Sequence, residues 1–135
     1  MNVTIHPHPL HGVITPPPSK SQAHRLLIAA ALGEGESVIH NVALSQDVRA
    51  RVSCMEQLGA EFRQEGDALR VRGLGANARS ALRRMALPRL DCGESGSTLR
   101  FLIPVALAVR GGGEFTGRGR LMERPLGLYF GLFDQ

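Results

Sequence analysis

The chain has no tryptophan, one tyrosine, five phenylalanines and a single lysine, Lys20. So few aromatic side chains leave little on which a single-strand nucleic-acid binder could stack bases. Long apolar runs are missing too. The most apolar stretches, residues 26–32 and 101–109, fall well short of the about 20 residues a membrane-spanning helix needs. Residues 1–10 have no basic cluster leading into an apolar run, so no signal peptide is read there and a cytoplasmic setting is expected. Cys54 and Cys92 are the only cysteines and form no Cys-x-x-Cys pair, which excludes a disulfide framework or a zinc ribbon. His6, His8 and His11 are close in sequence, but Pro7 and Pro9 keep them extended and no cysteine or aspartate completes a set, so no metal site is expected.

What is present suits a folded domain that handles anions. Apolar residues make up 43% and charged residues 21% of the 135, the balance of a globular protein with a core. Basic residues outnumber acidic ones 16 to 12, and all but one of the basic residues are arginine. The guanidinium fork matches carboxylates and phosphates, and a small phosphorylated ligand fits this composition better than nucleic acid does.

The chain repeats itself. When Arg25 is laid over Arg100, 75 residues on, Ser21-Gln22-Ala23-His24-Arg25-Leu26-Leu27-Ile28 falls on Gly96-Ser97-Thr98-Leu99-Arg100-Phe101-Leu102-Ile103. Ala31-Leu32 falls on Ala106-Leu107, and Arg49 falls on Arg124, each of that pair read as preceding an amphipathic helix.

In the first copy, apolar residues at 23, 26, 27, 30 and 31 predict a helix that Gly33-Glu34-Gly35 ends. Ser37 to His40 reads as a strand. Val48, Val52, Met55 and Leu58 predict a second helix, with Arg49, Arg51, Glu56 and Gln57 off its apolar face and Gly59 as its C-terminal cap. Glu61 to Gln64 and Ala68 to Arg72 read as strands joined through Gly66-Asp67. With a strand near Asn2 to Ile5, the unit is strand, helix, strand, helix, strand, strand.

The second copy starts near Leu90-Asp91, has a helix from about Gly96 to Val109, turns at Gly111-Gly112-Gly113, and continues with a strand near Glu114 to Thr116. Pro125 is expected in the first turn of a last helix with Leu126, Tyr129, Phe130 and Phe133 as its stripe. Because the two closing strands are missing, the chain is expected to be part of a longer protein.

Three segments carry possible chemistry. Pro16-Pro17-Pro18 leads to Ser19, an expected N-cap with Gln22 three residues later. A helix start attracts anions through its free N–H groups and dipole. Lys20 at its mouth, and Ser21 and Arg25 four apart on one face, could converge on a phosphate. The same residues also make an ordinary capped helix with solvated basic side chains. The second segment, residues 91–100, is a glycine- and serine-rich helix start with Glu94 and Arg100 nearby. It lacks the lysine of a nucleotide-binding loop, so it reads either as exposed backbone donors or as a tight turn. Pro104 inside its helix takes away the donor for the Arg100 carbonyl. The third segment, residues 117–125, sets Arg118, Arg120 and Arg124 before a proline, as an anion-holding or solvated loop. Arg79, Arg83 and Arg84 read as a solvated face.

Taken together, these segments resemble a known family. Pro17-Pro18-Ser19-Lys20-Ser21-x-x-x-Arg25, Gly93-Glu94-Ser95-Gly96-Ser97-Thr98-x-Arg100 and Gly117-x-x-Arg120-Leu121-x-x-Arg124-Pro125 are similar, in order and interval, to the substrate-binding signatures of 3-phosphoshikimate 1-carboxyvinyltransferases. The resemblance implies an α/β (α+β) fold of repeated βαβαββ units, the inside-out barrel of enolpyruvyl transferases, incomplete here. One unit would span about 20–90 and a truncated second about 90–135, with residues 1–19 giving a strand to the other domain of the whole enzyme.

The implied reaction moves the enolpyruvyl group of phosphoenolpyruvate to the 5-hydroxyl of shikimate 3-phosphate, in the route to chorismate and the aromatic amino acids. It needs no metal or organic cofactor, and a monomer is implied. Lys20, Ser21 and Arg25 would hold shikimate 3-phosphate, and Lys20, Gly96 and Arg124 would hold phosphoenolpyruvate. The acid/base groups would come from later sequence, so this chain by itself is expected to be inactive. Glu94-Ser95-Gly96-Ser97 departs from the Asn-Ala-Gly-Thr of many members, and Phe101 stands where some have proline. Two other readings are a sister transferase acting on UDP-N-acetylglucosamine, whose expected Lys-Asn pair and loop cysteine are not seen here, and an RNA-end-processing or nucleic-acid-binding module of related fold.

Overall fold

The computed structural model describes residues 2–75 and 81–133. Helix α1 (Lys20–Leu32) starts where expected, the Ser19 hydroxyl accepting the Gln22 N–H at 3.3 Å. It ends at Gly33, whose N–H closes on the Ala29 and Ala30 carbonyls. Strand β1 (Glu36–Ile39) leads to helix α2 (Gln46–Leu58). There Ser45 caps the Val48 N–H, Asp47 complements the helix dipole in the first turn, and Gly59 at φ +113° makes the left-handed C-cap.

Strands β2 (Glu61–Glu65) and β3 (Ala68–Arg72) form a hairpin closed by Gly66-Asp67. Gly66 at φ +60° supplies the positive dihedral that the first position of a tight two-residue hairpin turn demands. Strand β3 lies between β1 and β2, antiparallel to both, so β1–α2–β2 is a split crossover with β3 inserted. Past the described break come β4 (Arg89–Asp91), helix α3 (Gly96–Arg110) and β5 (Glu114–Thr116), with β4 and β5 paired in parallel. A 3-10 turn (Gly119–Glu123) and a short helix α4 (Gly127–Phe133) follow.

Helix α2 is the hub, packing on α1, α3, β2 and β4. Leu27 and Ala31 of α1, Val48, Met55 and Leu58 of α2, Val71 of β3, and Leu102 and Ala106 of α3 are wholly buried. Gly73 shows how closely the layers meet, since a Cβ there would lie 2.3 Å from the Gly33 carbonyl oxygen. Only glycine lets β3 pass this near the end of α1.

Several sequence expectations need correction. Within this chain residues 2–18 pair with no strand, and Val3, Ile5, Leu10, Val13 and Ile14 are exposed, so a strand near Asn2 to Ile5 does not open the first unit here. Arg51 does not fall off the apolar face of α2. It is wholly buried, with Val48, Met55 and Leu58 on the same stripe. Leu26, expected in the core, is 43% exposed, and His24 takes the buried place beside Leu27 and Ala31.

The repeat register also slips. Lys20 and Gly96 open their helices one residue out of step, and Arg49 lies inside α2 whereas Arg124 stands before α4. Pro125 sits outside α4, where the Leu126 carbonyl accepts the first helical bonds from the N–H groups of Tyr129 and Phe130. Arg83 is more than a solvated cation, since it donates to the Ala108 carbonyl at 2.9 Å, while Arg79 lies outside the described residues.

Candidate functional site

Three helix starts converge. The α1 start brings Lys20, Ser21, His24 and Arg25, the α2 start brings Asp47, and the α3 start brings Gly96, Ser97, Thr98, Arg100 and Phe101. The Lys20 ammonium pairs with the Asp47 carboxylate, and the Thr98 hydroxyl lies 3.4 Å from the Asp47 backbone carbonyl oxygen. His24 Nε2 lies 3.4 Å from the Ser97 hydroxyl, which ties α1 to α3. At the α3 start the Ser95 hydroxyl accepts from the Thr98 N–H at 3.2 Å and from the Thr98 hydroxyl at 2.9 Å. This fixes the cap that presents the Gly96 and Ser97 backbone.

Lys20, Ser21 and Arg25 do share one helix end, but they do not meet as three free donors. Arg25 Nη1 turns back to the Ser21 carbonyl at 2.9 Å, so the two touch through backbone oxygen and not through the hydroxyl. The Arg25 guanidinium lies over the Phe101 ring, 5.6 Å from its centroid. Lys20 stays half exposed beside Asp47.

The second and third segments also come together. Gly93 binds the third segment through its carbonyl, which accepts the Arg118 N–H at 2.8 Å. Arg124 is laid across Gly96 so closely that a Cβ there would stand 2.8 Å from Arg124 Nη1 and 3.1 Å from its Cδ. Arg100, Arg120, Glu123, Arg124 and Pro125 line a cleft of about 490 Å³. The Glu94 side chain packs on Gly119, where a Cβ would come within 2.9 Å of its carboxyl carbon.

Sequence reasoning missed His24, Asp47 and Arg51. Burial first, and then the charges of Arg51 and Lys20, lowers the His24 pKa to about 4, so the imidazole is neutral at neutral pH. Its Nδ1 is buried with no hydrogen-bond partner. Arg51 has all three guanidinium nitrogens buried without a partner, and burial lowers its pKa to about 10. Its guanidinium also lies over Phe101, 5.2 Å from the centroid. The signal for both was available, because 24, 27 and 31, like 48, 51, 55 and 58, follow the helical period.

Helix starts and cations brought together in an α/β chain make a setting suited to anions. Comparison with known proteins narrows this reading. Residues 5–134 match the family model described as EPSP synthase (3-phosphoshikimate 1-carboxyvinyltransferase), and the chain belongs to that family. Among its relatives, the 3-phosphoshikimate 1-carboxyvinyltransferase of Clostridium beijerinckii is 43% identical over 135 residues, covering 99% of this chain and 31% of the relative. That of Clostridioides difficile is 42% identical, covering 99% and 32%. The solved EPSP synthase from Acinetobacter baumannii superposes with a TM-score of 0.69 at 24% identity over 85% of this chain and 26% of its own. That likeness speaks to fold. The chain thus spans about a third of the length of the curated relatives it matches. Among the described residues no helix is long and apolar enough to cross a membrane.

Proposed function

We propose that this chain forms the anion-gathering part of an enzyme that transfers the enolpyruvyl group of phosphoenolpyruvate to the 5-hydroxyl of shikimate 3-phosphate. In that reaction the 5-hydroxyl gives its proton to a base as its oxygen adds to C2 of phosphoenolpyruvate, while C3 takes a proton from an acid. Phosphate then leaves the tetrahedral adduct as C3 gives up a proton. The role of this chain is to hold oxyanions, the work that preorganised donors do best. Residues 20–135 would be part of one domain, with residues 1–19 reaching the other. The whole protein would act as a cytoplasmic monomer.

In this reading Ser21 and Arg25 meet shikimate 3-phosphate. Gly96, through its backbone, and Arg124 meet phosphoenolpyruvate. Lys20 serves both substrates and exchanges Asp47 for substrate oxygen, which is a cheap exchange because exposed ion pairs are worth at most about 1 kcal/mol. The reading rests above all on the contact of Arg124 with Gly96, two residues assigned to one substrate and brought together from separate segments. The test is calorimetric titration with shikimate 3-phosphate. Arg25→Ala is expected to weaken binding by about 1.5–3 kcal/mol, the scale of a hydrogen bond to a charged group. Unchanged affinity rejects the assignment.

A further inference from the structure

Arg25 is held in an unusual way for a surface cation. No carboxylate pairs with it among the described residues. What it touches is the Ser21 carbonyl, through one nitrogen, and the Phe101 ring. A guanidinium carries five N–H donors, and a cation–π contact fixes the group in space without using any of them as a hydrogen-bond donor. Lys20, at the same helix end, shows the opposite case, with its charge already engaged by Asp47.

The other neighbour of the ring strengthens the effect. Arg51 is wholly buried, lies 5.2 Å from the Phe101 centroid and has no hydrogen-bond partner for any guanidinium nitrogen. Phe101 itself is 37% exposed, so its ring is shared by a buried cation and a solvent-exposed one. The two positive charges repel, and the ring quadrupole attracts both. Arg25 is therefore anchored at a position where its charge is left unneutralised, a state that favours an incoming anion.

We infer that Phe101 is a positioning residue for Arg25, holding its guanidinium over the ring so that its remaining N–H donors are left for shikimate 3-phosphate. The inference rests on the reading of Arg25 given above. Phe101 also stands on α3, the helix whose start lies under Arg124.

Phe101→Leu keeps an apolar side chain and removes the ring. Titration of shikimate 3-phosphate into the full chain is expected to show about two- to fivefold weaker binding for this variant, the size of an exposed cation–π contact. Phe101→Tyr is expected to stay within about twofold of the unaltered protein, since its ring face is preserved. In an Arg25→Gln background, Phe101→Leu should cause no further loss, because the neutral amide gains nothing from the ring. Proton–nitrogen spectra add a readout that needs no ligand, as the Arg25 Nε–H resonance should lose its ring-current shift in Phe101→Leu. Equal affinity of Phe101→Leu and the unaltered chain overturns the inference alone, as does an undiminished loss in the Arg25→Gln background. Failure of the unaltered chain to bind shikimate 3-phosphate overturns the reading of Arg25 and the inference with it.

Discussion

The Tyr129 hydroxyl donates to the Arg100 carbonyl oxygen at 2.8 Å. That carbonyl would ordinarily receive the N–H of residue 104, and residue 104 is proline. The last helix thus supplies a donor that the proline removed from α3, and it does so right at the start of the candidate site. Tyr129→Phe is expected to cost about 1 kcal/mol in urea denaturation, the net worth of one hydrogen bond. The same change in a Pro104→Ala background should cost clearly less, because an alanine in that place restores the N–H. Equal costs in the two backgrounds would show that the hydroxyl does not compensate for the proline.

His24 gives stability a pH dependence of known sign. Its folded pKa of about 4 lies below the ordinary value of 6.5, so the unfolded chain binds the proton more readily. Its contribution is fully present above pH 6.5 and is lost progressively as the pH falls toward 4. His24→Asn is therefore expected to flatten the fall in melting temperature across that window relative to the unaltered chain. Parallel curves would mean that the imidazole is protonated in the fold.

Arg51 is a buried cation without a hydrogen-bond partner. Replacing such a charge with an apolar residue of similar length is often neutral or stabilising, by up to about 1–4 kcal/mol. Arg51→Met should leave chemical stability unchanged or raised. A loss of more than about 1 kcal/mol would reveal a partner that offsets the cost of burial.

Gly96→Ala tests the contact with Arg124. The added methyl group would stand 2.8 Å from Arg124 Nη1 and so must push the guanidinium aside. The fold should survive, since the displaced group is an exposed side chain. Phosphoenolpyruvate binding should weaken roughly tenfold or more, as expected for one hydrogen bond to a charged group. Shikimate 3-phosphate binding in the absence of phosphoenolpyruvate should not change. A loss of both affinities to the same degree would argue for general disruption of the α3 start.

Much of the fold could be read from local pattern. The Ser19 cap, the helix through Val48 and Leu58 and the Gly66-Asp67 hairpin are settled within a few residues by capping, periodicity and turn chemistry, and each appears where the sequence puts it. The N-terminal strand was a different kind of expectation. A strand exists only when another edge accepts its hydrogen bonds, and no local signal reports whether that edge is there. Pro125 failed for a related reason, since proline suits N1 but equally suits the residue outside the cap, and the Leu126 carbonyl decided between them.

The sequence by itself determined the helix starts at Ser19 and near Gly96, the hairpin, the arginine-rich charge and the three signatures, because each depends on neighbours a few residues apart. Only the tertiary structure decided that Lys20 is engaged by Asp47, that Arg25 and Arg51 share the Phe101 ring, that His24 is buried and neutral, and that Arg124 rests on Gly96. Those are meetings of residues distant along the chain. Whether a charge is solvated, paired or buried depends on what folds over it, and propensity and spacing carry no record of that.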